Sequence, residues 1–338
     1  MGGRMANGEW RMANGGWRFA DLPICEWRFA ICDCADGVVY DVRGLVKVYP
    51  GQTRPANQAI TLQVYQGEIF GMLGENGAGK STLVRQMVNL LRPTFGSIEL
   101  FGQPVGQDPL YVPLHVGYMP QEPHALNNLS VGEALFFTAH LREMSRAEAG
   151  RERDALLHVW QMQELRHRYS PRLSGGQRRL LRLAVAMVGS PPVLILDEPT
   201  NDLDPQRRRL VWDVLRRLNH ERGTTIIFIT HDAIEAEKII QRVGIMHDGR
   251  LVAVGQPGEL KQHVDQKLRL ELFFSPEAPP GLPPGTNCRP LEPGRWLVFL
   301  ERDQVMAVLN GLNLERIEDF RLQSATLEDL YLHYAAQL

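Results

Sequence analysis

Gly74-Glu75-Asn76-Gly77-Ala78-Gly79-Lys80-Ser81 is the stretch that decides the fold. Before it, Glu68 to Leu73, apolar from Ile69 onward, predicts a buried strand; after it, Ser81 to Met87 predicts a helix. Glycines at 74, 77 and 79 permit the dihedrals and close approach by which backbone amides turn inward on phosphate oxygens. The helix start adds its positive dipole end. A strand, a glycine loop and a helix in that order cradle nucleotide phosphates, with Lys80 on the β- and γ-phosphates and the Ser81 hydroxyl on Mg²⁺. A chance glycine-rich turn is the bland alternative, and the flanking strand and helix argue against it.

Further along, Val193-Leu194-Ile195-Leu196 ends in Asp197-Glu198. Such a run predicts a central parallel strand whose C-terminal end delivers two carboxylates where open α/β sheets bind ligands. Asp197 suits the Mg²⁺ shell through water, and Glu198 suits orientation and activation of an attacking water. An acidic pair at a strand end commonly just marks the surface; its place downstream of a phosphate loop gives it the chemical reading. Leu173-Ser174-Gly175-Gly176-Gln177 leads into a helix predicted over Arg178 to Val188 and makes a second glycine-rich helix start. One chain needs one cradle for one triphosphate, so Ser174 and Gly176 are expected to close on the γ-phosphate held by another subunit. A plain helix cap accounts for Ser174 but not for the whole run.

Between Val39 and Val264 the sequence resembles the ATP-binding subunit of ABC transporters, with Leu173 to Gln177 standing as that family's signature without substitution. The resemblance implies a P-loop NTPase cassette of the α/β class, with a RecA-like core, an antiparallel β part and a helical subdomain. It implies ATP and Mg²⁺ as cofactors. Glu75, Asn76, Ala78 and Thr82 complete the phosphate loop, and Gly175 and Gln177 the signature. Gln121, in Gly117-Tyr118-Met119-Pro120-Gln121, matches the loop glutamine that senses Mg²⁺ and the attacking water. His231, in Ile229-Thr230-His231-Asp232, matches the switch histidine on the γ-phosphate, and Tyr49 matches the aromatic that stacks on adenine. Asp204 matches a residue of inter-subunit contact. One position departs: Asp202 stands where the family usually has a small residue, and the added carboxylate is expected either to slow closure of the dimer or to be offset by a nearby arginine.

The implied partners are a second cassette, identical or paralogous, and a separate multi-span membrane permease, with the chain peripheral on the cytoplasmic face of the membrane. The alternative is a cassette ATPase acting on a ribosomal or nucleic-acid assembly. Against it stand the single cassette and the absence of sustained heptads. The formal net charge of −2 gives no electrostatic reason to bind nucleic acid. No window approaches the ~20 apolar residues that span a bilayer.

The sequence of 338 residues allows a cassette and a second module. Residues 1–37 differ in character from the rest: Met5-Ala6-Asn7-Gly8 recurs as Met12-Ala13-Asn14-Gly15, and Trp17-Arg18-Phe19-Ala20 as Trp27-Arg28-Phe29-Ala30. The glycines oppose an amphipathic membrane anchor, and the spacing of Cys25, Cys32 and Cys34 matches no common zinc pattern. A disordered extension, with translation beginning near Val38, is the expectation.

Residues 38–264 are expected to form the cassette and 265–338 a small C-terminal α/β domain. Ser130-Val131-Gly132-Glu133 is a capping-box helix start, and a second helix is predicted near Arg153 to Met162. This helical part resembles the family's subdomain whose groove beside Gln121 receives a permease helix. Asp248-Gly249 between apolar flanks predicts a hairpin. Strands are predicted over Leu268 to Phe274, Trp296 to Leu300 and Arg316 to Leu322, with a loop through Gly294 and helices over Asp303 to Leu309 and from Thr326 to Tyr334. The tail, Leu327-Glu328-Asp329-Leu330 above all, resembles the C-terminal extension of drug-efflux ATPases and implies export; packing and dimerisation are equally open roles for it.

Overall fold

The computed structural model describes residues 37–121, 128–230, 237, 239–261, 268–283, 286–323 and 329–330. His231, the N-terminal repeats and most of the last helix expected lie outside the described residues. In chain order the elements are β1 (Val38–Lys47), β2 (Asn57–Tyr65), β3 (Ile69–Leu73), α1 (Lys80–Met87), β4 (Phe95–Leu100), β5 (Gln103–Pro104), α2 (Tyr111–His115) and β6 (Val116–Met119). Then follow α3 (Val131–Leu141), α4 (Arg146–Val159), α5 (Gly175–Met187), β7 (Val193–Asp197), α6 (Pro205–Arg222) and β8 (Thr225–Ile229). The chain continues with β9 (Arg242–His247), β10 (Arg250–Gly255), α7 (Pro257–Lys261), β11 (Leu268–Phe274), β12 (Asn287–Glu292), β13 (Arg295–Leu300), α8 (Val305–Gly311) and β14 (Ile317–Gln323). Contacts group it into two units, Met1–Phe70 with Ser81–Ile229, and Gly71–Lys80 with Thr230–Leu338.

In the first unit, β2, β1, β4 and β5 form an antiparallel sheet in that order. Ile60, Leu62 and Val64 are buried while Thr61, Gln63 and Tyr65 are exposed, the alternation of a sheet with one covered face. By contrast β7 and β8 are buried at every residue, and β6, β7 and β8 run parallel in register. Near-continuous apolar runs, here Val193 to Leu196 and Ile226 to Ile229, are what a parallel sheet covered on both faces requires. Helix α6 covers β8 through Val211, Trp212, Val214, Leu215 and Leu218, and Trp212 meets Phe228 with ring centroids 5.0 Å apart. Helix α5 lies so close to β6 that a Cβ on Gly117 would stand 2.0 Å from the Ala186 carbonyl.

The helical part consists of α3 and α4. Both begin with a complete capping box, Ser130 with Glu133 and Ser145 with Glu148. The second helix therefore starts at Arg146 and ends at Val159, rather than running from Arg153 to Met162. Ser145 and Glu148 satisfy two orphan amides, which fixes the start seven residues earlier than the apolar run alone suggests.

Strand β3 crosses the boundary between the units. At its start the Glu68 carbonyl accepts from the Ile226 amide at 2.9 Å within the first unit, and near its end Met72 accepts from Thr230 at 3.3 Å within the second. Also in the second unit, β9 and β10 form the expected hairpin: Asp248 (φ 47°) and Gly249 (φ 78°) both take the left-handed conformation that a type I′ turn needs. A second antiparallel sheet runs β12-β13-β11-β14. Its core is Leu270, Leu272, Phe274, Val298 and Leu300, covered by Val305 and Val308 of α8. Strand β12 falls where the sequence predicts loop: it is an exposed edge strand containing Pro290, and edge strands tolerate the proline that argues against a strand elsewhere.

Candidate functional site

Where β3 ends, the chain turns through Gly74 (φ 154°), Gly77 (φ 88°) and Gly79 (φ 97°), all at positive φ. A Cβ on Gly74 would lie 2.3 Å from the Met246 carbonyl, so both conformation and space restrict this position to glycine. Glu75, Asn76 and Gly77 are exposed at the tip; Ala78 is buried, and its carbonyl accepts from the Gly249 amide at 3.1 Å. Lys80 is buried, and its Nζ donates to the carbonyls of Gly74 (2.5 Å) and Glu75 (2.8 Å). The ammonium is thereby held inside the loop whose amides it would share an anion with.

Ser81, peptide-bonded to Lys80, donates its hydroxyl to Asp197 Oδ2 at 3.3 Å. Asp197 is buried at the end of β7. A hydroxyl beside one carboxylate is a hard-oxygen pair of the kind that holds Mg²⁺ together with substrate phosphates and water, and it fits that ion. Among the described residues no group of three or more His, Cys, Asp or Glu forms a protein-only metal cage. On neighbouring β6 the phenol of Tyr118 is pushed up to about 12, by burial first and by the charge of Asp197 second. Tyr49 is half-buried, its hydroxyl 3.3 Å from Thr82 Oγ1 and Lys47 Nζ 5.6 Å from its ring centre.

Glu198 follows Asp197, is buried, and adopts φ 51°, a conformation unusual for any residue but glycine. Its amide donates to Ile229 O at 2.9 Å, and its carbonyl accepts from Arg179 Nη1 at 2.7 Å. The other guanidinium nitrogen of Arg179 reaches Asp202 Oδ2 at 3.3 Å. The added carboxylate at 202 is thus paired with an arginine, the second of the two outcomes expected for it. Three residues along α5, Arg182 Nη1 donates to the carbonyl of the exposed Gln121 at 2.8 Å.

The signature run starts α5 itself: the helix begins at Gly175, not Arg178. Ser174 Oγ accepts from the Gln177 amide at 3.2 Å and Gln177 Oε1 accepts from the Ser174 amide at 3.0 Å, so the run is a capping box. Ser174 and Gly175 are exposed; Gly176 is buried, with Arg207 Nη1 3.1 Å from where its Cβ would stand. Asp204 caps α6 by accepting from the Arg207 amide at 2.9 Å, and that hydrogen bond first, then the charge of Arg207, holds its carboxyl below the usual range.

The fold therefore joins Lys80 to its own loop, Ser81 to Asp197, Tyr49 to Thr82, Glu198 to Arg179 and Gln121 to Arg182. Arg179, Arg182 and Tyr118 escaped the sequence reading. The only available signal was the three-residue spacing of two arginines on one face of the helix that follows the signature.

This arrangement defines a class: a nucleotide-binding P-loop protein of the α/β kind. Comparison with known proteins narrows it. The profile described as ABC transporter matches residues 57–201. The daunorubicin/doxorubicin resistance ATP-binding protein DrrA of Streptomyces peucetius is 38% identical over 233 residues, 69% of this chain and 70% of that protein. The human ATP-binding cassette sub-family A member 2 is 34% identical over 272 residues, and the chain spans only 11% of its length. A solved ATP-binding subunit of an ABC transporter superposes with a TM-score of 0.62 at 25% identity, covering 67% of this chain and 92% of that one. The chain belongs to the ABC transporter family, as one of its ATP-binding cassettes.

Proposed function

We propose that the chain is an ATP-hydrolysing subunit that dimerises with a second cassette around ATP and drives a separate multi-span permease, in the direction of export. The observation that carries this reading is the pairing of Ser81 with Asp197 directly beside the buried Glu198, in a chain whose signature cap at Ser174 is exposed. Ser81 and Asp197 would hold Mg²⁺ there, and the ion would supply neutralisation of the charge developing on the phosphates. Gly74 to Ser81 hold the triphosphate, with Lys80 turning from the carbonyls of Gly74 and Glu75 to the β- and γ-phosphates. Tyr49 stacks on the adenine.

Ser81 and Asp197 form the protein side of the Mg²⁺ shell, and Gln121 senses it. Glu198 orients and activates water, and His231 holds the γ-phosphate. Ser174, Gly175, Gly176 and Gln177 of the second cassette close the site, with Asp204 at the contact between cassettes. Closure moves the permease, and hydrolysis releases it. The catalysis is positioning and charge stabilisation rather than covalent chemistry.

Membrane attachment comes through the permease at its cytoplasmic face. Among the described residues no helix is long and apolar enough to cross a membrane. The likeness to a drug-resistance ATP-binding protein supports export. Purification of the tagged chain from detergent-solubilised native membranes tests the reading. A polytopic membrane protein in stoichiometric yield is expected; recovery on ribosomes or nucleic acid alone would overturn it.

A further inference from the structure

We propose that Arg179 is a positioning residue for hydrolysis, holding Glu198 in its productive conformation and using the exposed carboxylate of Asp202 as its outer anchor. The inference rests on the reading of Glu198 as the residue that activates water. Two left-handed non-glycine residues frame the turn after β7, Glu198 at φ 51° and Asp202 at φ 59°. Such conformations persist only where surroundings over-determine them. Arg179 touches both ends of this turn: Nη1 donates to the Glu198 carbonyl at 2.7 Å in a buried bond, and Nη2 to Asp202 Oδ2 at 3.3 Å. The arginine side chain is only 9% exposed, whereas that of Asp202 is 81% exposed. A planar guanidinium is suited to this task because its donors diverge at fixed angles, which an ammonium cannot imitate.

The direction of control follows from this geometry. The side chain of Glu198 leaves a backbone whose carbonyl is pinned by α5, the helix that begins at the exposed signature cap. Displacement of α5, or of Asp202, would rotate the Glu198 peptide and move its carboxylate relative to the water it aligns. The residues that hold nucleotide, Lys80 and Ser81, are not part of this link. Loss of Arg179 should therefore lower turnover while leaving the affinity for ATP in place. Asp202, exposed and screened, should matter less than the arginine it anchors.

Steady-state ATPase assays of the purified full chain test this, with or without its permease as preparation allows. In Arg179→Gln, kcat should fall ~10- to 100-fold, the scale of a misplacement near 1 Å, with KM for MgATP unchanged. Arg179→Lys should recover part of the loss, and Asp202→Ala should cost less than ~5-fold. Arg179→Gln with Asp202→Ala should be no worse than Arg179→Gln alone, because the two residues act as one unit. Adding Arg179→Gln to Glu198→Gln should not lower the residual rate further, whereas a general loosening of the fold would lower it again. Wild-type kcat in Arg179→Gln, or a raised KM with kcat intact, would overturn the inference. If Arg179→Gln does not fold, Arg179→Lys and Asp202→Ala decide, since each must lower kcat at constant KM. Full turnover in Glu198→Gln would instead refute the underlying assignment of Glu198, a separate failure.

Discussion

Helix α1 and helix α5 both start from glycine-rich turns, yet the two turns are built differently. At Gly74 to Lys80 the glycines sit at positive φ, a neighbouring carbonyl forbids any Cβ on Gly74, and the lysine is buried against its own loop. At Ser174 to Gln177 a capping box fulfils the helix amides with side chains, and a Cβ on Gly175 would meet nothing within 4 Å. The first turn is a cradle shaped by its own chain. The second is a well-made helix start with free space beside Gly175, where the proposed second subunit would close.

The difference can be broken most forcefully at Lys80. Lys80→Ala should reduce ATP turnover by ~100-fold or more, as removal of one electrostatic donor does, and should weaken nucleotide binding to the single chain. Ser174→Gly should also abolish most turnover, yet leave single-chain nucleotide binding intact. It costs the helix cap only a few tenths of a kcal/mol, so folding cannot be the cause. Equilibrium binding of a fluorescent ATP analogue beside an ATPase assay separates the two.

A sharper contrast lies in the glycines themselves. Gly74→Ala should destabilise the fold by ~1–3 kcal/mol, the usual cost of forced overpacking, lowering Tm. Gly175→Ala should leave Tm unchanged or slightly raised, since alanine suits a helix better than glycine. Thermal melts of both variants test the point directly.

The smallest effect concerns Asp204, whose carboxyl is held below its ordinary value of 3.8 chiefly by the Arg207 amide. Folding favours the ionised form, so the cap contributes its full stability above 3.8 and loses it as pH falls through the lowered folded value. The Tm gap between wild type and Asp204→Asn should be constant near neutrality and shrink only on acidification below that range.

Much of this was legible in the sequence because local chemistry and position agreed. The phosphate loop needs glycines whatever its surroundings, and β7 and β8 carry the apolar runs Val193 to Leu196 and Ile226 to Ile229 because both faces are covered. Helix starts were legible where a serine and a glutamate stood three apart, as at Ser130. One was missed where the same signal opened a polar stretch, at Ser145; at Ser174 the helix start and its cap were legible, but the glycines put the boundary at Arg178 and hid the reciprocal bond from Gln177. Strand β12 was hidden by Pro290 and by its exposure on both faces, which leaves no alternation to read. The least legible features were tertiary: the carbonyls held by Arg179 and Arg182 lie 19 and 61 residues away, and no local pattern carries such a link.

Mixing tests the central claim most directly. Chains carrying Lys80→Ala keep an intact signature, and chains carrying Ser174→Arg keep an intact phosphate loop; each alone should be nearly inactive. If one chain's loop works against the other's signature, every mixed dimer regains one complete site, and combining the two preparations should restore substantial ATPase activity. If loop and signature serve a site within a single chain, the mixture should remain as inactive as its components, and the account of a shared site would be contradicted.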